Sequence, residues 1–269
     1  MAEGDTVFAT AARMHHALVG QVLTSTDLRV PRYATADLSG QIVREVGARG
    51  KHLFIRTDRG ISVHSHLGMD GSWRLYGPGE RWRGRAFEVR AVLTIEERFA
   101  VGHRLRRLEV LRTTAEPELL AHLGPDVLGS TWDAAEATRR LVASSDREVG
   151  DAVVDQSVMA GPGNVYRSEV CFLARVDPRT AVGSIADPLA IVELMRALMD
   201  RNRTGDRRVT TDDPRPGHEL WVYGRGGRPC RRCGTPIRSF ARGPRSQERI
   251  IFVCPRCQPV VGPSGHDES

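Results

Sequence analysis

The chain has 269 residues, of which 40% are hydrophobic and 27% charged, a composition typical of folded proteins rather than disordered ones. The length favours two domains, and no apolar run is long enough to suggest a membrane-spanning segment. The first residues are acidic and no apolar signal core follows them, so we expect no signal peptide and a cytoplasmic location.

Positive charge is concentrated in the last quarter of the chain. The formal net charge is +6, yet residues 1–200 contain 25 basic and 26 acidic side chains. Residues 201–269 contain 14 arginines against 7 acidic residues. This surplus favours an anionic partner such as nucleic acid, although a solvated basic surface would have the same composition.

Lysine is almost absent. Of the 39 basic residues, 38 are arginine and only Lys51 is lysine. A guanidinium stays protonated, whereas an amine has a compact charge and can take part in chemistry. A functional role for Lys51 is therefore favoured over chance in an arginine-rich chain.

In chain order, the first predicted element is a helix close to the terminus. Asp5 is a plausible N-cap, apolar residues recur at helical spacing from Val7 to Leu18, and Gly20 ends the element.

Strand patterns then continue to about residue 112 and predict a β-sandwich, with a hairpin turn at residues 58–60. His64 and His66 follow that turn and have the spacing of an HxH metal pair. Without a nearby carboxylate in the sequence, hydrogen-bonded strand side chains are the favoured interpretation.

The pattern becomes helical after residue 112. Four helices are predicted, within residues 133–145, 146–156, 164–176 and 187–202, and residues 203–229 form a loop rich in Arg, Gly and Pro. The sequence MAGPGN precedes the third helix. Backbone N–H groups at such a helix start, with Asn164 as a side-chain donor, would form an anion site, although glycine corners often serve shape alone.

Four cysteines near the end of the chain have the spacing of a zinc ribbon. Two CxxC pairs, Cys230 with Cys233 and Cys254 with Cys257, are separated by twenty residues. Four thiolates bind one Zn²⁺ tetrahedrally and leave no open position, which predicts a structural ion. Between the pairs, Arg242, Arg245 and Arg249 would make the hairpin a stiff, basic probe for phosphates.

Together these motifs resemble the Fpg/Nei (endonuclease VIII) family of DNA glycosylases. AEGDTV, GKHL, HLGMDGSW, DQSVMAGPGNVYRSE and VYGRGGRPCRRCG…RIIFVCPRCQ occur in the family's order over nearly the whole chain, and EGDTV is similar to the bacterial endonuclease VIII branch. The resemblance implies an α+β protein with DNA bound in a cleft between two lobes. Its segments would be an N-terminal β-sandwich with a leading helix (1–112), a helical domain with a helix–two-turns–helix motif (113–220), a C-terminal four-cysteine zinc finger (221–260) and a polar tail (261–269).

The resemblance also implies roles for individual residues. The family's nucleophile is the amine of residue 2, here Ala2, exposed by removal of Met1. Glu3 matches the family's acid. Lys51, Asn164 and Arg249 match its phosphate-binding set, and Met69 matches the residue that fills the gap left by a flipped-out base. Counterparts of the family's other two gap-filling residues are not recognisable in the sequence.

An amine at the terminus suits such chemistry. An α-amine has a pKa of about 7.7–8, so a usable fraction is neutral at pH 7. A helix start directly after it disfavours a cation and should lower that pKa.

Residue 2 departs from the family pattern, because the family has proline where this chain has Ala2. A primary amine can still form an imine. Three states therefore remain open: activity through Ala2, activity through Lys51 as a substitute amine, and DNA binding with impaired chemistry.

The resemblance thus implies a base-excision-repair glycosylase and AP lyase for oxidised bases, pyrimidines favoured, acting through an amine Schiff base and β,δ-elimination. The alternative is a protein that binds damaged or abasic DNA without cutting it. A zinc-ribbon nucleic-acid binder unrelated to repair would leave AEGDTV, Lys51 and MAGPGN unexplained. Damaged double- or single-stranded DNA is the expected partner, no membrane is involved, and a monomer is the simplest state.

Overall fold

The computed structural model describes residues 2–205, 207–243 and 248–259. Met1, Arg245 and the polar tail therefore lie outside the described residues. The chain divides into two compact units, residues 1–122 and 123–269, each with its own core.

The first unit is a helix followed by eight strands in two antiparallel sheets. The elements are α1 (Gly4–Leu18), β1 (Ser25–Leu28), β2 (Val43–Arg49), β3 (His52–Thr57), β4 (Ile61–His66), β5 (Ser72–Tyr76), β6 (Val89–Ile95), β7 (Arg98–His103), β8 (Arg107–Arg112) and α2 (Glu116–Leu120). One sheet has the order β1-β6-β7-β5 and the other β2-β3-β4-β8. Side chains from α1 and from both sheets form one apolar core, which confirms the β-sandwich.

Helix α1 begins slightly earlier than the sequence suggested. Glu3 is at the N-cap position, and the predicted cap, Asp5, lies inside the first turn. Asp5 accepts the N–H of Thr6 at 2.7 Å, so its carboxylate satisfies a first-turn donor without capping the helix. The apolar face from Val7 to Leu18 is buried in the core as its spacing predicts.

The β3–β4 hairpin turns at residues 58–60, as predicted, and Gly60 has a φ of +70°. The residues after β8 also belong to this unit rather than to the helical one. Glu116 accepts Nε of Arg56 at 2.9 Å and the hydroxyl of Ser62 at 2.5 Å. These bonds join Glu116 to β3 and β4 of the first unit, which extends to His122.

The second unit combines helices with a two-stranded hairpin. Its elements are α3 (Ala134–Val142), α4 (Val149–Ala152), α5 (Asn164–Leu173), α6 (Pro188–Asn202), β9 (Arg238–Arg242) and β10 (Arg249–Val253). Three of the four predicted helices are close to the predicted ranges, whereas α4 has a single turn. The reason is non-local: N–H of Val149 donates to Thr180 and N–H of Val182 donates to Arg147, both at 2.8 Å, so the chain before α4 is extended.

Glu169 is one of the buried side chains that hold the predicted loop between α6 and β9. Glu169 on α5 is completely buried and accepts the backbone N–H groups of Trp221, Val222 and Tyr223 at 2.8–2.9 Å. The Thr210 hydroxyl also donates to it.

No described helix is long and apolar enough to cross a membrane.

A chain of buried histidines links the strands of the second sheet. His64 is fully buried; its Nδ1 lies 3.0 Å from Glu109, and its Nε2 lies 2.9 Å from Nδ1 of His52. Because a carboxylate accepts, His64 carries its proton on Nδ1, and His52 donates to His64. Both of the histidines considered for a metal pair are therefore hydrogen-bonded, since Nδ1 of His66 accepts the N–H of Gly68 at 3.0 Å.

Burial keeps these rings neutral. It lowers the pKa of His52 to about 3 and that of His66 to about 4, with neighbouring histidines and Lys51 adding to the effect, and it lowers the pKa of His64. An unfolded histidine titrates at about 6.5. The unfolded chain therefore binds more protons below pH 6.5, and the stability present above that pH is lost as pH falls towards 4 and 3.

We expect the free energy of unfolding to fall by about 2 kcal/mol for each of His52 and His66 between pH 7 and pH 5. Urea unfolding at a series of pH values measures this slope. His52→Gln keeps a donor for His64 and should flatten the curve, whereas His16→Gln, on the exposed face of α1, should leave it unchanged. Equal slopes for wild type and His52→Gln would contradict this assignment.

Candidate nucleic-acid interface and metal centre

The start of α1 buries an acidic side chain directly after residue 2. Ala2 is half-buried and packs against the core. Glu3 is 0% exposed, and its carbonyl accepts the N–H of Val7 at 3.0 Å. Its side chain makes no cap bond to the helix. The carboxyl group therefore lies inside the unit, next to the residue whose amine Met1 removal would free.

Lys51 occupies the tight turn between β2 and β3. Gly50 has a φ of +56°, and Lys51 is half-buried. The ammonium lies near enough to His66 to lower the pKa of that ring. With Nδ1 of His66 accepting from Gly68, the neutral ring carries its proton on Nε2. The Lys51 ammonium and the Nε2–H group of His66, both hydrogen-bond donors, therefore lie in the same part of the first unit.

Met69 lies in the tight loop between β4 and β5 and is 48% exposed. N–H of Gly71 closes the loop onto the Leu67 carbonyl at 3.0 Å. A Cβ at Gly71 would overlap that carbonyl and approach the Arg104 carbonyl to 2.9 Å, so only glycine allows the loop to close. An apolar side chain thus projects from a rigid support, as a gap-filling role requires.

Arg106 is a neighbour of this loop that the sequence did not reveal. Its N–H donates to the His66 carbonyl at 3.0 Å, and its Cβ would lie 2.9 Å from a Cβ at Gly68. Arg106 is exposed. It reaches the Met69 loop only because β8 pairs with β4, and a pairing between distant strands leaves no local signal in the sequence.

In the second unit, Asn164 is the first residue of α5 and is 6% exposed. Its Nδ2 donates to the Ile250 carbonyl of β10 at 2.8 Å, and its Oδ1 accepts Nε of Arg167 at 3.0 Å. An amide NH₂ has two hydrogens, of which the described part of the chain accepts one, so the second can meet an incoming acceptor. The structure therefore fixes the direction of this amide from both ends.

Arg249 begins β10, directly before the residue that binds Asn164. The structure thus brings Asn164 and Arg249 together in the second unit. Arg242 differs from its predicted role as a free probe, because it forms ion pairs with Glu148 at 2.7 Å and Asp151 at 3.2 Å.

The four cysteines of the two CxxC pairs form one cluster. Their Sγ atoms all lie within 4.8 Å of one another, Cys230 to Cys257 at 3.9 Å and Cys233 to Cys254 at 3.5 Å, and none is in a disulfide. Thiolates bound to one tetrahedral Zn²⁺ at about 2.3 Å would be about 3.8 Å apart. The donor set is therefore compatible with a tetrahedral metal ion, and among the described residues it is the one such group.

The second CxxC pair is anchored by a residue that the sequence did not single out. Gln258 accepts the N–H of Cys254 at 2.9 Å and donates to the Val176 carbonyl beyond α5, also at 2.9 Å. Cys171 lies apart from the cluster, and burial raises the pKa of its thiol to about 12. It behaves as a small buried apolar side chain.

Comparison with known proteins agrees with both units. Residues 1–108 match the formamidopyrimidine-DNA glycosylase N-terminal domain, and residues 123–201 match the formamidopyrimidine-DNA glycosylase H2TH domain. A probable endonuclease 8 2 of Streptomyces coelicolor is 48% identical over 98% of this chain and 97% of its own length. The DNA-(apurinic or apyrimidinic site) lyase Nei2 of Mycolicibacterium smegmatis is 47% identical over 96% and 99%.

Solved structures share the fold. A Lactococcus lactis formamidopyrimidine-DNA glycosylase bound to DNA containing an AP site has a TM-score of 0.80 at 21% identity, covering 96% of this chain and 99% of that one. The match to full-length relatives, the two family domains and the four-cysteine cluster agree with one another. The chain belongs to the Fpg/Nei family of DNA glycosylases, in its bacterial endonuclease VIII branch.

Proposed function

We propose that the protein is a base-excision-repair DNA glycosylase with AP lyase activity on oxidised bases, with pyrimidines favoured. The observation that carries the proposal is Glu3, an acidic side chain buried at the start of α1 directly after residue 2. The names of the similar proteins, endonuclease 8 2 and AP lyase Nei2, support the same activity.

The proposed reaction uses the amine of Ala2. Its lone pair attacks C1′ of the damaged nucleotide, the glycosidic bond breaks, and the base leaves. The attached nitrogen gives one proton to the departing base. Glu3 gives a proton to the sugar ring oxygen as the bond between C1′ and that oxygen breaks, which opens the ring and leaves a protonated imine at C1′. The imine acidifies the neighbouring C–H bonds, so the 3′ and then the 5′ phosphate are eliminated. A primary amine suffices for every step, which is why alanine can replace the family's proline.

The remaining residues serve DNA binding in this proposal. Lys51, Asn164 and Arg249 bind backbone phosphates, which hold the strand without reading its sequence. Met69 fills the space of the extruded base. Chromosomal DNA as substrate places the protein with the bacterial nucleoid, and one chain acts as a monomer.

We propose Zn²⁺ as the ion of Cys230, Cys233, Cys254 and Cys257. Four thiolates favour zinc and leave it no exchangeable position, so the ion would stabilise the hairpin and take no part in the reaction. The division into a helical domain to residue 220 and a finger from 221 belongs to this proposal.

Borohydride trapping on an abasic-site duplex tests the activity. Borohydride reduces an imine to a stable amine crosslink, and peptide mass mapping then locates it. We expect the crosslink at Ala2 and strand cleavage without borohydride. Lys51→Arg keeps the charge but removes the amine, so the crosslink should survive in that variant.

A large residue at position 2 prevents Met1 removal, so Ala2→Leu should abolish trapping. A crosslink at Lys51 would instead identify the Lys51 amine as the nucleophile. No crosslink and no cleavage, with lesion binding intact, would support the binding-only alternative.

The phosphate assignment predicts the salt dependence of binding. Arg249→Ala should weaken binding to all lesions alike and lower the slope of log K against log salt by about 1, because one phosphate contact is lost. Fluorescence anisotropy at several salt concentrations measures this. A loss confined to one lesion would argue for base recognition instead.

Metal removal should weaken DNA binding at least about tenfold while the β-sandwich stays folded, since the ion stabilises only the second unit. Metal analysis should find one zinc per chain, and added zinc should restore affinity. Cys171→Ala is the matched control and should keep both the metal and the affinity. Unchanged affinity after chelation would contradict the structural role.

A further inference from the structure

We propose that Arg242 is a positioning residue, which keeps the amide of Asn164 and the guanidinium of Arg249 at a constant separation. The inference rests on the proposed function, in which Asn164 and Arg249 bind phosphates. It assigns to Arg242 no contact with DNA.

A continuous path of hydrogen bonds leaves β10 through α5. The Ile250 carbonyl accepts Nδ2 of Asn164 at 2.8 Å, and Oδ1 of Asn164 accepts Nε of Arg167 at 3.0 Å. Arg167 is nearly buried, with 5% of its side chain exposed, and its Nη1 lies 3.1 Å from Oδ1 of Asp151 in α4.

From α4 the path returns to the hairpin formed by β9 and β10. The other carboxylate oxygen of Asp151 accepts Nε of Arg242 at 3.2 Å. In the register of the hairpin, Arg242 of β9 is directly opposite Arg249 of β10, which precedes Ile250. The pairing of β9 with β10 therefore closes the path into a ring, and Arg242 is the member through which the ring returns to the hairpin.

The charges in the ring explain why arginine is needed at this position. Nη2 of Arg242 lies 2.7 Å from Glu148 while its Nε binds Asp151, so one planar fork spans two carboxylates. A lysine ammonium is a point charge and cannot reproduce that geometry. Two guanidiniums, of Arg167 and Arg242, balance the carboxylates of Glu148 and Asp151, so Arg242 adds no surplus charge for DNA.

Loss of Arg242 would detach β9 from α4. β10 would keep its bonds to α5 through Ile250 and Phe252, but Arg249 would lose the support of β9. Arg249 would then shift relative to Asn164, and the two ligands would no longer meet the phosphates without distortion. The number of phosphates contacted in the complex would stay the same. The affinity for DNA should therefore fall while the slope of log K against log salt stays the same. Loss of a phosphate ligand would instead lower both the affinity and the slope.

The experiment measures the affinity of the full-length, zinc-loaded protein for a duplex with a tetrahydrofuran abasic analogue, which cannot be cleaved, by fluorescence anisotropy from 50 to 200 mM NaCl. We expect Arg242→Ala and Arg242→Lys each to weaken binding about tenfold with an unchanged slope. Arg249→Ala should lower the slope by about 1. Arg238→Ala removes the same charge from the exposed start of β9 and should change affinity less than about twofold.

Asp151→Asn tests the same ring by removing a negative charge, whereas Arg242→Ala removes a positive one. Removing a negative charge should strengthen DNA binding through electrostatics alone, whereas the ring requires that it weaken binding. The substitution is isosteric, so it also serves if Arg242→Ala loses zinc or its cooperative thermal transition. Wild-type affinity or stronger in Asp151→Asn, or a reduced slope in Arg242→Ala, would overturn the inference.

A measurement without DNA separates this inference from the proposed function. Hydrogen exchange of the β10 amides, and the side-chain amide resonances of Asn164, should change in Arg242→Ala and Asp151→Asn but not in Arg238→Ala. Unchanged exchange and resonances would overturn the positioning role. If the wild type fails to prefer abasic over undamaged DNA while these signals change, the proposed function fails and the positioning role stands.

Discussion

Glu169 is fully buried on α5, and its carboxylate accepts three consecutive backbone N–H groups, those of residues 221–223. A buried charge is costly unless hydrogen bonds replace its hydration, and here the bonds also compensate the backbone of the loop. The segment between Asn202 and Arg238 contains no described helix or strand. Side-chain bonds therefore hold its path to the first cysteine pair, among them those of Glu169 to residues 221–223 and those of Asn202 to Val209.

The same ten-residue helix organises the rest of the second unit. Its first residue, Asn164, binds β10; Phe172 stacks on Trp221 with ring centroids 5.4 Å apart. Beyond its end, the Val176 carbonyl accepts Gln258 of the second cysteine pair. The four-cysteine cluster and the two proposed phosphate ligands of the second unit, Asn164 and Arg249, thus depend on a single helix, and a shift of α5 would move all of them.

Features encoded by neighbouring residues were predictable from the sequence. The apolar face of α1, the turn ending at Gly60 and the two CxxC pairs depend on spacing within a few residues, and the structure confirms all three. Local preference predicts Asp5 as the cap of α1, because aspartate is a common cap, but Glu3 occupies the N-cap position. There, burial of the acid takes precedence over local capping preference.

The contacts that the sequence does not predict join residues that are far apart along the chain. Glu109 reaches His64 across 45 residues, and Arg242 reaches Asp151 across 91 residues, through strand and helix packing. Composition predicts Arg242 as part of a basic probe for phosphates, because the charge of a residue in a sequence does not show where its side chain points. Only the folded chain distinguishes an arginine that faces solvent from one already paired.

The arginine-rich composition has a consequence for selectivity. An abasic site exposes an aldehyde, and an aldehyde condenses with any neutral amine that meets it. A guanidinium keeps its proton and resists this condensation, so an arginine surface can attract DNA without capturing the sugar. Besides its terminus, the chain offers one further amine, in the turn between β2 and β3. The protein thus separates electrostatic attraction from covalent reactivity and limits the places where a lesion can become trapped off-pathway.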